Sequence, residues 1–240
     1  MLAARRTIRT HRLERARSAL GFTLIETMLA VVILGLGVVV ILRSMMTFLQ
    51  TNIWSTHSAT AGYLGQEIRE LTRNLPRHDV FSGGLYFTID AGGDTVLNGW
   101  GLETGEILPE DIDDIDDLDG LAFGTPPAPD GFDVTQWMAT GPINAFGSII
   151  EQTLHDGTVS MVDDGEGGQE AEALRGWSQF IRVEKLDPYD LSTVVDNAAF
   201  VAGVRPVDAY PLRVTVIVTY NGVWADQAPA STEFSWIIPP

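Results

Sequence analysis

From Met28 to Leu42 the chain reads MLAVVILGLGVVVIL, an apolar run interrupted only by two glycines. Counted from Phe22, the segment has about the ~20 residues that a helix rising ~1.5 Å per residue needs to cross a bilayer. Arg5, Arg6, Arg9, Arg12, Arg15 and Arg17 all precede it. By the positive-inside rule that basic leader stays cytoplasmic and everything after Arg43 is exported. An ordinary signal peptide would carry a small-residue cleavage site behind its apolar core, where Gly35, Gly37 and Ser44 fit poorly. The Arg5-Arg6 pair hints at twin-arginine export, but the apolar run begins too far downstream of it. Hydropathy alone does not separate a plain single-pass anchor from a leader removed ahead of the helix.

The string Gly21-Phe22-Thr23-Leu24-Ile25-Glu26, followed at once by the apolar run, separates them. It resembles the cleavage site of type IV prepilins and of the pseudopilins of type II secretion. The resemblance implies that a prepilin peptidase cuts after Gly21 and that the new amine of Phe22 is methylated. It also implies that Glu26 serves filament assembly. Physical chemistry points to the same acid, because a carboxylate within an apolar segment carries a desolvation penalty unless it is paired. Cleavage would create a positive amine at Phe22, one helical turn from Glu26.

The helix is expected to continue past Arg43 as far as Leu75. Residues 44–75 contain no proline, and Leu64, Ile68, Leu71 and Leu75 recur on one helical face, with Ile53 and Trp54 further back. Pro76 supplies the stop. The stripe spans only two heptads, so it is read as a face packed on a sheet rather than a coiled-coil seam. Gly62 and Gly65 imply a bend or a close approach. Downstream, Leu85–Ile89, Thr158–Val162, Trp177–Val183, Leu212–Tyr220 and Thr232–Ile238 read as strands. In the fourth, Leu212, Val214, Val216, Val218 and Tyr220 share one face, the alternation of a half-buried antiparallel sheet. Asn221-Gly222 then suggests a type I′ turn, with Val223-Trp224-Ala225 beginning the return strand.

The expected fold class is α+β: a long N-terminal helix, part transmembrane and part amphipathic, packed on an antiparallel β-sheet in a pilin-like arrangement. The organisation expected is a leader over 1–21, a transmembrane or filament-core helix over 22–43, an amphipathic continuation over 44–76 and an exported β-rich domain over 77–240. Within that domain, 101–147 and 163–172 read as acidic loops.

Six of the fifteen Lys and Arg residues but one of the thirty-two Asp and Glu residues lie before Gly21, leaving nine against thirty-one and a net charge of −22 beyond it. Such a surface repels a polyanion, which excludes nucleic acid as a partner of the globular part. With no cysteine, disulfide and thiolate chemistry are excluded too. Catalysis has few candidate groups. His11 lies in the leader and His57 on the helix, His78 and His155 remain, and no GxSxG, HExxH or phosphate-binding glycine loop is present. His155-Asp156-Gly157 reads as a turn. The run Glu110–Gly120 (EDIDDIDDLDG) invites calcium, a hard cation that collects carboxylate oxygens. It departs from the EF-hand template because Ile115 occupies the first ligand position. It is therefore read as a solvated acidic turn held by Ile112, Ile115 and Leu118, with calcium kept as an open possibility and no metal ligand assigned.

The resemblance implies a non-catalytic filament subunit, a minor pilin or pseudopilin. Its partners would be prepilin peptidase, other subunits and an inner-membrane assembly platform. It would sit in the inner membrane by a single pass, with leader cytoplasmic and C-terminal domain periplasmic, before entering a filament. IDDIDDLDG and Val214–Gly222 (VTVIVTYNG) are also similar to minor pilins of MSHA-type systems. There is no C-terminal cysteine pair, Arg43 stands where major pilins often carry a proline, and cleavage would leave 219 residues. All three lean towards a minor component. The competing expectation is a membrane-anchored adhesin or cation-binding protein that never assembles.

Overall fold

The computed structural model describes residues 23–78, 87–89, 91–93, 95–97, 100–103, 105–163, 165, 167–195, 209–222 and 231–240. Gly21, Phe22, the start of the expected Leu85–Ile89 strand and the Val223–Ala225 return strand lie outside them. The chain divides into two compact units, 1–49 and 50–240.

A helix α1, Leu24–Asn74, runs through both units and matches the expected span to within two residues at each end. Thr23 starts it: its backbone carbonyl accepts from the N–H of Glu26 (3.0 Å) and of Thr27 (3.2 Å), and its hydroxyl also accepts from Glu26 N–H (3.3 Å). Thr-x-x-Glu is a helix-start signature in its own right, since it satisfies donors that the first turn leaves open. In the first unit every side chain of α1 is exposed. This is the one helix among the described residues long and apolar enough to span a membrane.

In the second unit, α1 buries Ala61, Leu64, Gly65, Ile68, Leu71 and Thr72. Leu64 and Ile68 are fully buried, with Leu75 packed at the edge of the same cluster. Burial of each such side chain stabilises by about 2 kcal/mol. The expected stripe is therefore a sheet-packing face, whereas Trp54 stays exposed. The close approach falls at Gly65, where a Cβ would lie 2.5 Å from Phe234, while nothing stands within 4 Å of Gly62.

The strands in chain order are β1 Phe87–Ile89, β2 Thr95–Leu97, β3 Leu121–Phe123, β4 Gln136–Ala139, β5 Met161–Asp163, β6 Gln169–Ala171, β7 Trp177–Asp187, β8 Asp190–Val195, β9 Leu212–Tyr220 and β10 Ser231–Ile238. A six-stranded sheet has the order β10-β9-β7-β3-β4, with β8 also on β7, and β1-β2 and β5-β6 form two separate pairs. The central registers place Trp177 opposite Tyr220, Ile181 opposite Val216 and Trp236 opposite Val214. On β9 the expected apolar face is buried from Leu212 to Val218 and packs, with Trp177, Ile181 and Val183, under α1. At the centre of this interface the buried Gln179 side chain donates to the carbonyls of Leu64 (2.9 Å) and Ile143 (3.2 Å) and accepts from Ile143 N–H (2.8 Å).

Five expectations need correction. The sheet is mixed, not purely antiparallel, because β3 and β4 pair in parallel. The Pro/Gly-rich residues 124–135 between them are about the dozen that a parallel crossover requires. That crossover also covers the outer face of the sheet, where Phe132 packs with Ala122 and Phe180. Residues 101–147 are thus no simple loop: they contain β3, β4 and two 3-10 turns, Pro109–Asp111 and Asp116–Leu118. The 163–172 segment likewise forms most of the β5-β6 hairpin, and of the expected 158–162 strand only Met161 and Val162 lie in β5. Finally, β10 begins eleven residues after β9 ends, and the φ of Gly222 lies outside the positive region that a type I′ turn demands.

Candidate functional site

Glu26 lies in the first turn of α1, exposed within the single chain, two residues after the helix begins. Its partner in the expected scheme, the amine of Phe22, and the cleavage residue Gly21 lie outside the described residues. The site therefore consists of Glu26, its cap Thr23 and an apolar surface.

The aspartate run contradicts its expected character. Ile112, Ile115 and Leu118 do hold it to the core, at 7%, 1% and 0% exposure, but Asp114, Asp116 and Asp117 are buried as well, at 0%, 0% and 1%. Every third residue is apolar, so the backbone turns on itself. Asp113 stays exposed, while Asp114, Asp116 and Asp117 are drawn inward and accept donors that the turns leave open. Asp111 Oδ2 accepts from the N–H of Ile107 and Leu108 (3.0 and 2.9 Å). Asp114 Oδ1 accepts from the N–H of Asp116 and Asp117 (3.0 and 3.1 Å). Asp117 Oδ2 accepts from the N–H of Asp113 and Asp114 (3.1 and 3.2 Å). Asp119 takes Val183 N–H on Oδ1 (2.9 Å) and the Trp100 indole N–H on Oδ2 (3.1 Å), joining the run to β7. Ile115 N–H donates to the carbonyl of Pro76 at the end of α1 (3.0 Å).

His78 enters from the other end of the same knot. Its Nδ1 lies 3.0 Å from both oxygens of Asp116 and 3.9 Å from Asp114 Oδ2, with all three side chains buried. Asp116 Oδ2 also accepts Gly101 N–H (3.1 Å). Burial alone would pull the imidazole pKa down. The hydrogen bond to Asp116 and the charges of Asp116, Asp114 and Glu103 outweigh it and hold the pKa above its ordinary value. His78 is thus half of a buried His–Asp pair. His155 sits in the expected turn, with Gly157 at φ +83° and Asp156 Oδ1 accepting from Thr158 N–H (3.0 Å).

A third set of acids meets beside this pair. Glu103, Glu106 and Asp117 each bring a carboxylate oxygen within 4.8 Å of the others, and Asp113, Asp114 and Asp117 do the same. Glu106 Oε2 accepts Glu103 N–H (2.7 Å), which folds the two glutamates together. Burial, then the charges of Asp117 and Glu106, push the Glu103 pKa up to about 8. Burial and the Asp114 charge push Asp117 up to about 7, against the backbone N–H groups of Asp114 and Asp113. The anchors Ile112, Ile115 and Leu118 stand three residues apart, and that spacing was the available clue to burial. Sequence reading missed Glu103, Glu106 and the His78–Asp116 pair because these meet only in three dimensions. No family model, curated protein or solved structure matches this chain.

Proposed function

We propose that this chain is a non-catalytic filament subunit, a minor pilin or pseudopilin of a type IV pilus or type II secretion filament, made as a prepilin. The observation that carries the reading is the start of α1. The helix opens at Leu24, within the GFTLIE string and three residues after Gly21, and Glu26 is the one charged residue between Leu24 and Leu42. All side chains of that stretch are exposed in the single chain. So large an apolar surface has to be covered, first by the bilayer and then by the equivalent helices of neighbouring subunits. In that setting the carboxylate needs a cation, and cleavage after Gly21 would supply one as the amine of Phe22 on an adjoining subunit. Prepilin peptidase and an inner-membrane assembly platform are the partners of this scheme, with the leader cytoplasmic and the second unit periplasmic.

Mass analysis of the intact, membrane-extracted protein and of its N-terminal peptide tests the proposal. The expected mature chain begins at Phe22, carries one methyl group on its amine and lacks residues 1–21. A mature protein that retains Met1 and the arginine leader would overturn the reading in favour of a plain anchored exported protein.

A further inference from the structure

We infer that Glu103, Glu106 and Asp117 form a binding site for one calcium ion in the second unit. Two oxygens bound to the same calcium, at ~2.4 Å each, can stand at most about 4.8 Å apart. The three carboxylates meet that limit as they stand. The independent observation is a buried carboxylate oxygen without a hydrogen-bond partner among the described residues. Asp117 is 99% buried, and its Oδ1 accepts nothing while its Oδ2 takes two backbone N–H groups. The oxygens of half-buried Glu103 face those of Glu106 and Asp117. A buried carboxylate oxygen among other acids is satisfied by a proton or by a cation, and a cation reaching Asp117 Oδ1 would also meet the oxygens of Glu103 and Glu106. No Lys or Arg forms an ion pair with them among the described residues.

The neighbouring His78, Asp114 and Asp116 also satisfy the distance limit. They are already accounted for by the 3.0 Å His78–Asp116 pair and by the backbone donors on Asp114 and Asp116. The all-oxygen set is thus the one left in need of a cation. Oxygen donors alone, with no nitrogen or sulfur, select a hard ion. Three protein carboxylates converging on one point suit calcium, which takes about six to eight oxygens in a tolerant geometry, over magnesium, which keeps several waters and is held by one or two carboxylates. Asp113 and Asp114, whose oxygens also approach Asp117, border the site. The inference does not depend on assembly into a filament.

The test uses the full-length chain in detergent micelles, titrated calorimetrically with calcium chloride and melted in calcium or chelator at matched ionic strength. The expected result is one ion per chain and a higher melting temperature in calcium, as binding to the native state alone must produce. Asp117→Asn keeps an acceptor for the Asp113 and Asp114 N–H groups, so it should fold in chelator while weakening binding by about tenfold or more. Glu106→Gln should do the same and covers the case in which Asp117→Asn does not fold. Asp163→Asn, in the β5-β6 hairpin, should bind as the unmodified chain does. Identical melts in calcium and chelator would overturn the site. So would unchanged binding by the Asp117→Asn and Glu106→Gln proteins, or an equal loss in Asp163→Asn.

Discussion

A carboxylate that folding strips of water leaves its mark in how stability depends on pH. Glu103 and Asp117 have pKa values pushed up to about 8 and about 7, from ordinary values of 4.5 and 3.8. Between those limits the native state binds more protons than the unfolded chain, so stability falls as pH rises. Their favourable contribution is complete below the ordinary values and is lost as pH passes through 7 and 8. His78, also raised, acts in the same direction above its ordinary 6.5. Asp156, Glu172 and Asp190 are lowered by hydroxyl, guanidinium and backbone donors, so their effect belongs to pH below about 4.5. In chelator, the melting temperature should therefore be higher at pH 5.5 than at pH 8.5, and Asp117→Asn should flatten the difference. A chain that melts at the same or a higher temperature at pH 8.5 would contradict the burial of these acids.

At the scale of elements, α1 and the sheet meet where one glycine allows it. A methyl group on Gly65 would stand 2.5 Å from Cδ2 and 3.0 Å from Cγ of Phe234, so the whole ring would have to move. Gly65→Ala should destabilise the second unit by ~1–3 kcal/mol, the usual cost of overpacking. Gly62, three residues earlier on the same helix, has nothing within 4 Å. Gly62→Ala should stabilise by up to ~1 kcal/mol through helix propensity alone. Chemical denaturation of the two variants checks the pair, and equal effects would mean that the contact at Phe234 does not constrain the helix. The stripe Leu64, Ile68, Leu71 and Leu75 was legible because a helix facing a sheet repeats its apolar residues every three or four positions. The alternation on β9 was legible for the corresponding reason at period two. The parallel pairing of β3 with β4 was not, since three- and four-residue strands carry too short a pattern to declare a partner or a direction.

The molecule as a whole joins a helical segment that is apolar from Leu24 to Leu42 but for Glu26 to a unit whose acids outnumber its bases. Under the filament proposal, Glu26 is the residue on which assembly turns. Removing one member of a desolvated ion pair typically costs ~3–5 kcal/mol, because the other charge is left buried and alone. Glu26→Leu should still insert in the membrane, since an acid has left an apolar segment, and should still be cleaved after Gly21. It should enter filaments poorly. Precursor processing on a blot, together with the amount of subunit in sheared filaments, measures both. Normal incorporation would reduce Glu26 to an interfacial residue and remove its role in registry.

Local chemistry in the sequence settled the extent of α1, its buried face, the long central strand and the turn at His155, because each follows from periodicity or from residues adjacent in the chain. The acidic run marks the boundary of that reasoning. A carboxylate is solvated or buried according to what packs around it, and the groups that pack here come from afar. His78 lies 38 residues before Asp116, Gly101 lies 15 before it, and Val183 lies 64 beyond Asp119. Composition alone makes such a run a solvated surface. Only the tertiary structure, by holding the end of α1, Trp100 and strand β7 against one another, turned it inward.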